Sequence, residues 1–209
     1  MYSLPHFKAA DEQEVLAFMR AHPFIVLCGV TADGKPVATH VPVLFHERDG
    51  KLFLQAHIMR RQEHTAAFEQ NPNVLAIFSG AHTYVSASWY SKQNTAGTWN
   101  YQAVHVRGTL RFMDDGGLHD LLVRLTDTFE NNPHSPSLVK HMEEGYVTSL
   151  MKAIIAFDIE ITGIEHVFKL SQNRDEKSYD NIMEHLQNGD ADAQTVAVRM
   201  QHNKHNVFK

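Results

Sequence analysis

The chain has 209 residues, of which 43% are hydrophobic and 21% charged, and its formal net charge is −5. This balance is ordinary for a globular protein and excludes intrinsic disorder. A disulfide framework is excluded because Cys28 is the only cysteine, and it sits inside an apolar run that marks it as a core residue.

The length suits one large domain or two small ones. No stretch approaches the roughly 18 apolar residues that cross a bilayer. The start, Met1-Tyr2-Ser3-Leu4-Pro5-His6, has neither a basic nor an apolar region, so no signal peptide is expected. The negative charge gives no support for nucleic-acid binding through the bulk field. Histidine is unusually frequent at 15 residues, more than one site uses.

Asp11 caps a predicted helix, with Glu14 three residues on as in a capping box; Pro23 ends it. Residues 24–30 read as a strand, followed by the hairpin signal Asp33-Gly34. Residues 36–46 read as one extended run whose two prolines suit an edge or bulged strand. Asp49-Gly50 is a second hairpin signal before a strand at 51–57. Residues 59–70 read as a helix broken by Asn71-Pro72-Asn73. Strands are expected at 74–79 and 83–87, a polar loop at 91–97, and a long strand at 98–113, broken or bent near Gly108. Residues 118–130 form a helix, with Leu118, Leu121, Leu122 and Leu125 on one stripe. A loop follows at 131–136 and a shorter helix at 137–150. Residues 153–168 alternate as a strand, 171–180 are polar, and 181–187 and 191–200 read as helices. Six or seven strands in sequence-adjacent hairpins favour an α+β arrangement: an antiparallel barrel or sandwich with peripheral helices.

Four residue groups could carry chemistry. Gln55 to Gln62 includes His57, Arg60 and Arg61 where a strand passes into a helix. Backbone N–H groups at a helix start and two guanidinium groups suit a phosphate; solvated surface arginines are the blander reading. Gly80 to Tyr90 crowds Tyr84, Ser86, Ser88 and Trp89 together, which suits a planar ring or a plain aromatic barrel rim. Thr98-Trp99-Asn100-Tyr101 precedes His105. Lys169 to Arg174, with Gln172 and Asn173, is either a loop or a donor–acceptor set for a ligand or second subunit. No G-x-S-x-G, G-x-x-x-x-G-K-[ST], G-x-G-x-x-G or H-E-x-x-H pattern occurs, so no catalytic residue is assigned. A metal site from His40, His57, His82 and His105 can be drawn, but nothing in their spacing demands it.

In this order, Met1-Tyr2 to His6-Phe7, His22-Pro23-Phe24, Ala38-Thr39-His40-Val41-Pro42, His57 with Arg60, Tyr84-Val85-Ser86 to Ser88-Trp89-Tyr90, Thr98-Trp99-Asn100-Tyr101 to His105, and Lys169-Leu170-Ser171-Gln172-Asn173 resemble the PaiB-type family of FMN-binding negative transcriptional regulators. The resemblance spans about residues 1–175. It implies an FMN-binding split β-barrel, an antiparallel Greek-key barrel with peripheral helices, over residues 1–170. Residues 171–209 would be a helical extension packing on the barrel or the dimer partner. It also implies a cytoplasmic homodimer with flavin at its interface, no membrane association, and DNA as a partner by family alone. The residues it assigns to the cofactor are Thr39, His40, Val41, His57, Arg60, Arg61, Tyr84, Ser86, Ser88, Trp99, Asn100, Lys169 and Gln172. The chain departs from the family at Arg61-Gln62-Glu63, where a small residue and Asn-Pro are usual, and at Ser86-Ala87-Ser88 and Gly97, where prolines are usual. Two other functions fit the same barrel: an FMN-dependent oxidase or reductase acting on a small molecule, and a haem-binding relative with a histidine ligand.

Overall fold

The computed structural model describes residues 1–2, 4–92 and 94–208; Gln93, within the expected loop, lies outside them. Among these residues seven strands form one sheet. They are β1 (Phe24–Val30), β2 (Pro36–Pro42), β3 (Leu44–Arg48), β4 (Lys51–Met59), β5 (Asn73–Val85), β6 (Thr98–Phe112) and β7 (Ile154–Lys169), in the order β2-β1-β5-β6-β7-β4-β3. The helices are α1 (Glu12–Ala21), α2 (Glu63–Gln70), α3 (Asp115–Glu130), α4 (Glu144–Met151), α5 (Glu176–Gln187) and α6 (Ala191–Val207). The class is α+β, as expected. No helix among the described residues is long and apolar enough to cross a membrane.

The contacts divide the chain into two compact units: a strand unit (Pro23–Phe78 and His105–Ile164) and a terminal unit (Met1–His22, Ser79–Val104 and Glu165–Lys209). Strands β5, β6 and β7 run through both.

In the strand unit both hairpin signals are used. Gly34 takes φ +89° between β1 and β2, and Asp49 and Gly50 take +53° and +71° between β3 and β4. The extended run expected at 36–46 is two strands. Pro42 ends β2, and the Val43 N–H goes instead to the Pro23 carbonyl at 2.9 Å. β2 and β3 then occupy opposite edges of the sheet, where prolines cost no ladder bond. β2 also comes against β4, which it does not neighbour in the sheet. Gly108 does not break β6, which is continuous. Likewise β5 is one strand where two were expected. The helix expected at 59–70 starts only at Glu63, because Met59 stays in β4 opposite Ile154. The expected helix 137–150 resolves into a 3-10 turn at Val139–His141 and α4. The α3 stripe Leu118, Leu121 and Leu125 packs with Ala156, Met151 and Ile154.

In the terminal unit Asp11 caps α1 by accepting the Glu14 N–H at 2.8 Å, and the Glu14 carboxylate accepts the Ala10 N–H at 2.7 Å. Helices α5 and α6 share a core of Tyr179, Ile182, Leu186, Val196 and Met200 that also takes in Val85, Tyr90 and Leu170.

Helix α5 starts five residues earlier than its apolar pattern suggests, because Asp175 caps it. The Ser178 N–H, then the Ser178 hydroxyl, then the Ser91 hydroxyl favour the Asp175 carboxylate and lower its pKa to about 2. A carboxyl held below its ordinary value stabilises the fold above that value and loses its contribution as pH falls through about 2. Asp175→Ala should therefore lower the urea midpoint at pH 6, and its gap to wild type should narrow as pH falls from about 4. A gap of constant size down to pH 2.5 would count against this cap.

Candidate functional site

The turn from β4 into α2 carries Arg60, Arg61 and Gln62. It is pinned twice: the Arg60 N–H bonds to the Ala153 carbonyl at 2.9 Å, and the buried Thr65 hydroxyl donates to the Met59 carbonyl at 2.7 Å. The start of α2 has no side-chain cap, which leaves its first N–H groups for another acceptor. A cleft of about 290 Å³ opens here, lined by Met59, Arg60, Arg61, Gln62, Ser149, Lys152 and Ala153. Arg60 pairs with Asp115 at 3.0 Å, but that carboxylate is 81% exposed. Among the described residues neither Arg61 nor Lys152 has a carboxylate partner. Three cations, a hydroxyl and an uncapped helix start thus converge, a donor set suited to a phosphate dianion.

His57 lies three residues before Arg60, on β4 opposite Ala156. It is half-buried, its Nδ1 is buried without a hydrogen-bond partner, and burial lowers its pKa. A neutral imidazole with an unsatisfied nitrogen costs about 1–3 kcal/mol unless another group completes it. On β2, Thr39 is half-buried, His40 is exposed and stacks on Phe24 at 6.0 Å, and Val41 is buried. Val41 can therefore offer a ligand only its backbone.

The remaining candidates belong to the terminal unit. Trp99 and Tyr84 are 53% and 51% exposed and meet edge to face at 6.0 Å, with His82 6.1 Å from Trp99. A cavity of about 320 Å³ lies beside Trp99, His82 and Tyr101. The space at Gly97 is filled by this cluster: a Cβ there would strike the Tyr84 hydroxyl. Ser86 and Ser88 bond to each other at 2.8 Å and start the 3-10 turn Ala87–Trp89. Asn100 is fully buried and bonds to Ser171 and the Met200 sulfur. Gln172 clasps the end of β7 through the Phe168 carbonyl and the Leu170 N–H. Lys169 donates to the Thr98 hydroxyl and lies over the Tyr2 and Phe7 rings; burial, then Arg174, lowers its pKa. Trp99 and Tyr84 thus stay half exposed, whereas Ser86, Ser88 and Gln172 are engaged in local turns and Asn100 in contacts with Ser171 and Met200. Ser149 and Lys152 line the phosphate-type cleft although no sequence pattern singled them out.

Residues 1–163 match the protein family described as "Putative FMN-binding domain". The chain is 35% identical over 188 residues to the protease synthase and sporulation protein PAI 2 of Bacillus subtilis, covering 90% of each. The chain belongs to this FMN-binding family. Its cofactor class is FMN, and its fold is the split β-barrel. Among solved structures, the FAD and haem binding protein of Mycobacterium smegmatis aligns with a TM-score of 0.57 at 17% identity, covering 77% of this chain and 72% of that one. The flavocytochrome Anf3 of Azotobacter vinelandii aligns with a TM-score of 0.53 at 17% identity, covering 82% and 74%. At such identities the likeness is one of fold alone. The family's phosphate-bearing cofactor and the cation-lined cleft agree, and the two carboxylates at this turn, Asp115 and Glu63, are each paired with a cation, Arg60 and Lys35.

Proposed function

We propose that FMN is held in the strand unit with its phosphate in the cleft of Arg60, Arg61, Ser149 and Lys152. The convergence of three cations and an uncapped helix start at one turn is the observation that carries this reading. His57, with Thr39, His40 and the Val41 backbone, is proposed to face the flavin's polar edge. The buried, unpartnered His57 Nδ1 supports that role. The terminal-unit residues Tyr84, Trp99 and Lys169 are proposed to offer ring faces and a cation to a planar ligand; Ser86, Ser88, Asn100 and Gln172 shape the backbone around them. Bound flavin supplies redox chemistry by itself, and the protein's part is to bind and orient it.

In the cell, we propose a cytoplasmic homodimer acting as a PaiB-type negative transcriptional regulator. Support comes from the likeness to PAI 2 over most of both chains and from the exposed Trp99 and Tyr84, which suit an interface. Sedimentation velocity at micromolar concentration should give one species of twice the chain mass; a stable monomer would end the dimer reading. The cofactor site is tested by titrating the purified protein with FMN and riboflavin. FMN should bind at least ten times more tightly, because only FMN carries the phosphate. Equal affinities would remove the phosphate from the cleft.

A further inference from the structure

We propose that the terminal unit holds a second small-molecule site, for a free α-amino acid with a short polar side chain, between the start of α1 and the C-terminal half of α6. Arg199, His202, Asn203 and Asn206 stand at i, i+3, i+4 and i+7 and so share one face of α6. The adjoining face, Ala193, Val196, Ala197 and Met200, is buried in the core shared with α5. His202 and Asn206 are exposed, Arg199 and Asn203 are half-buried, and the stripe borders a cavity of about 180 Å³ whose other walls are Ala10, Glu14, Gln102 and Leu170.

Gln102 adds an enclosed polar group. It is only 8% exposed, it lines this cavity as well as the one beside Trp99, and its side chain forms no hydrogen bond among the described residues. Its amide therefore keeps donor and acceptor capacity for a molecule that fills this space. The charges then specify the ligand. Arg199 has no carboxylate partner among the described residues, and the Glu14 carboxylate, which also lines the cavity, accepts the Ala10 N–H and has as its nearby titratable group His166, whose pKa is lowered by burial, then by Lys8. A simple anion would satisfy Arg199 and leave Glu14 repelled; a simple amine would do the reverse. A zwitterion answers both, with its carboxylate towards Arg199 and its ammonium towards Glu14. The amides of Gln102, Asn203 and Asn206 each donate and accept, which suits a polar side chain. The volume holds about six waters' worth of liquid at ~30 Å³ each. That lies below the roughly 300 Å³ where drug-sized ligands begin and matches a small amino acid. The site uses no residue proposed for FMN, and α6 lies beyond the residues 1–163 that match the family.

The test is calorimetric titration of the full-length protein, with and without FMN, using L-serine, L-asparagine and L-glutamine up to 10 mM. Two probes matched to asparagine, succinamic acid and β-alaninamide, each lack one charge. At least one amino acid should bind with a Kd below about 1 mM, and both matched probes should bind at least tenfold more weakly than asparagine or not at all. Arg199→Gln, Glu14→Gln and Gln102→Leu should each weaken amino-acid binding tenfold or more, with FMN affinity and circular dichroism unchanged. The proposal is overturned if none of the three amino acids binds. It is equally overturned if a one-charge probe matches asparagine, or if binding survives in both Arg199→Gln and Glu14→Gln. The one-charge probes act on wild type, so they decide the matter even if a variant misfolds. An FMN site that fails its own titration leaves this outcome untouched.

Discussion

Arg60→Ala should weaken FMN binding about ten- to a hundredfold and leave riboflavin binding unchanged. A phosphate monoester carries nearly two negative charges at neutral pH, and a guanidinium contact to it is charge-assisted and often bidentate. Such contacts contribute roughly 1.5–3 kcal/mol, and 1.4 kcal/mol is tenfold in affinity. Arg60 must give up Asp115 to make the contact. That exchange costs little, because Asp115 is 81% exposed and exposed pairs contribute about 0–1 kcal/mol. Asp115→Asn should accordingly tighten FMN slightly. The Arg60 backbone is pinned to Ala153, so Arg60 should matter more than Arg61. Lys152→Ala should fall between no effect and the Arg60 effect, because a lysine meets phosphate as a point charge without a bidentate fork. All three losses should shrink as salt is raised. If Arg60→Ala weakens riboflavin and FMN equally, the arginine supports the fold of the turn and not the phosphate.

Much of the site's position was legible in local sequence, and the reason is local chemistry. A strand expected at 51–57 and a helix expected at 59–70 put Arg60 and Arg61 at the passage from one to the other; that they stand in a turn and not in the helix was hidden, because it depends on Met59 pairing with Ile154. The two Asp-Gly signals fixed two hairpins, and Asp11 with Glu14 fixed the start of α1. What stayed hidden depends on contacts distant in the chain. Ser149 and Lys152 reach the cleft only because Ala153 holds Arg60 across more than ninety residues. The split of 36–46 at Pro42 depends on where β2 and β3 find partners, and neither residue pattern nor propensity records that. Asn100 reads as a ligand donor in a polar motif, yet its amide is consumed by Ser171 and Met200, contributed by elements far along the chain. Gln172 and the pair Ser86 and Ser88 are subtler cases: their turn chemistry was visible, but a polar motif fits a turn and a ligand equally well.

Gly108→Ala should destabilise the protein by roughly 1–3 kcal/mol, the range for forcing an extra methyl into a filled site. The strand was expected to be broken or bent here, and it is not broken: β6 continues through Gly108, whose φ is not in the left-handed region, so conformational freedom is not what the residue supplies. It supplies absence. A Cβ at 108 would strike the Ile159 side-chain methyl and approach the Glu160 carbonyl oxygen to 2.6 Å. Ile159 is fully buried and Glu160 offers backbone, so neither neighbour can swing aside. Gly163 provides the control on β7. A Cβ there meets nothing within 4 Å and its φ is unremarkable. Gly163→Ala should therefore be neutral, or stabilising by about 0.4–1 kcal/mol through the unfolded chain's lost entropy. Urea unfolding of both variants, at matched FMN concentration, separates the two effects. Equal stabilities for the two alanine variants would mean that β6 and β7 can part at Gly108 without cost, and the close approach there would not be what holds this part of the sheet together.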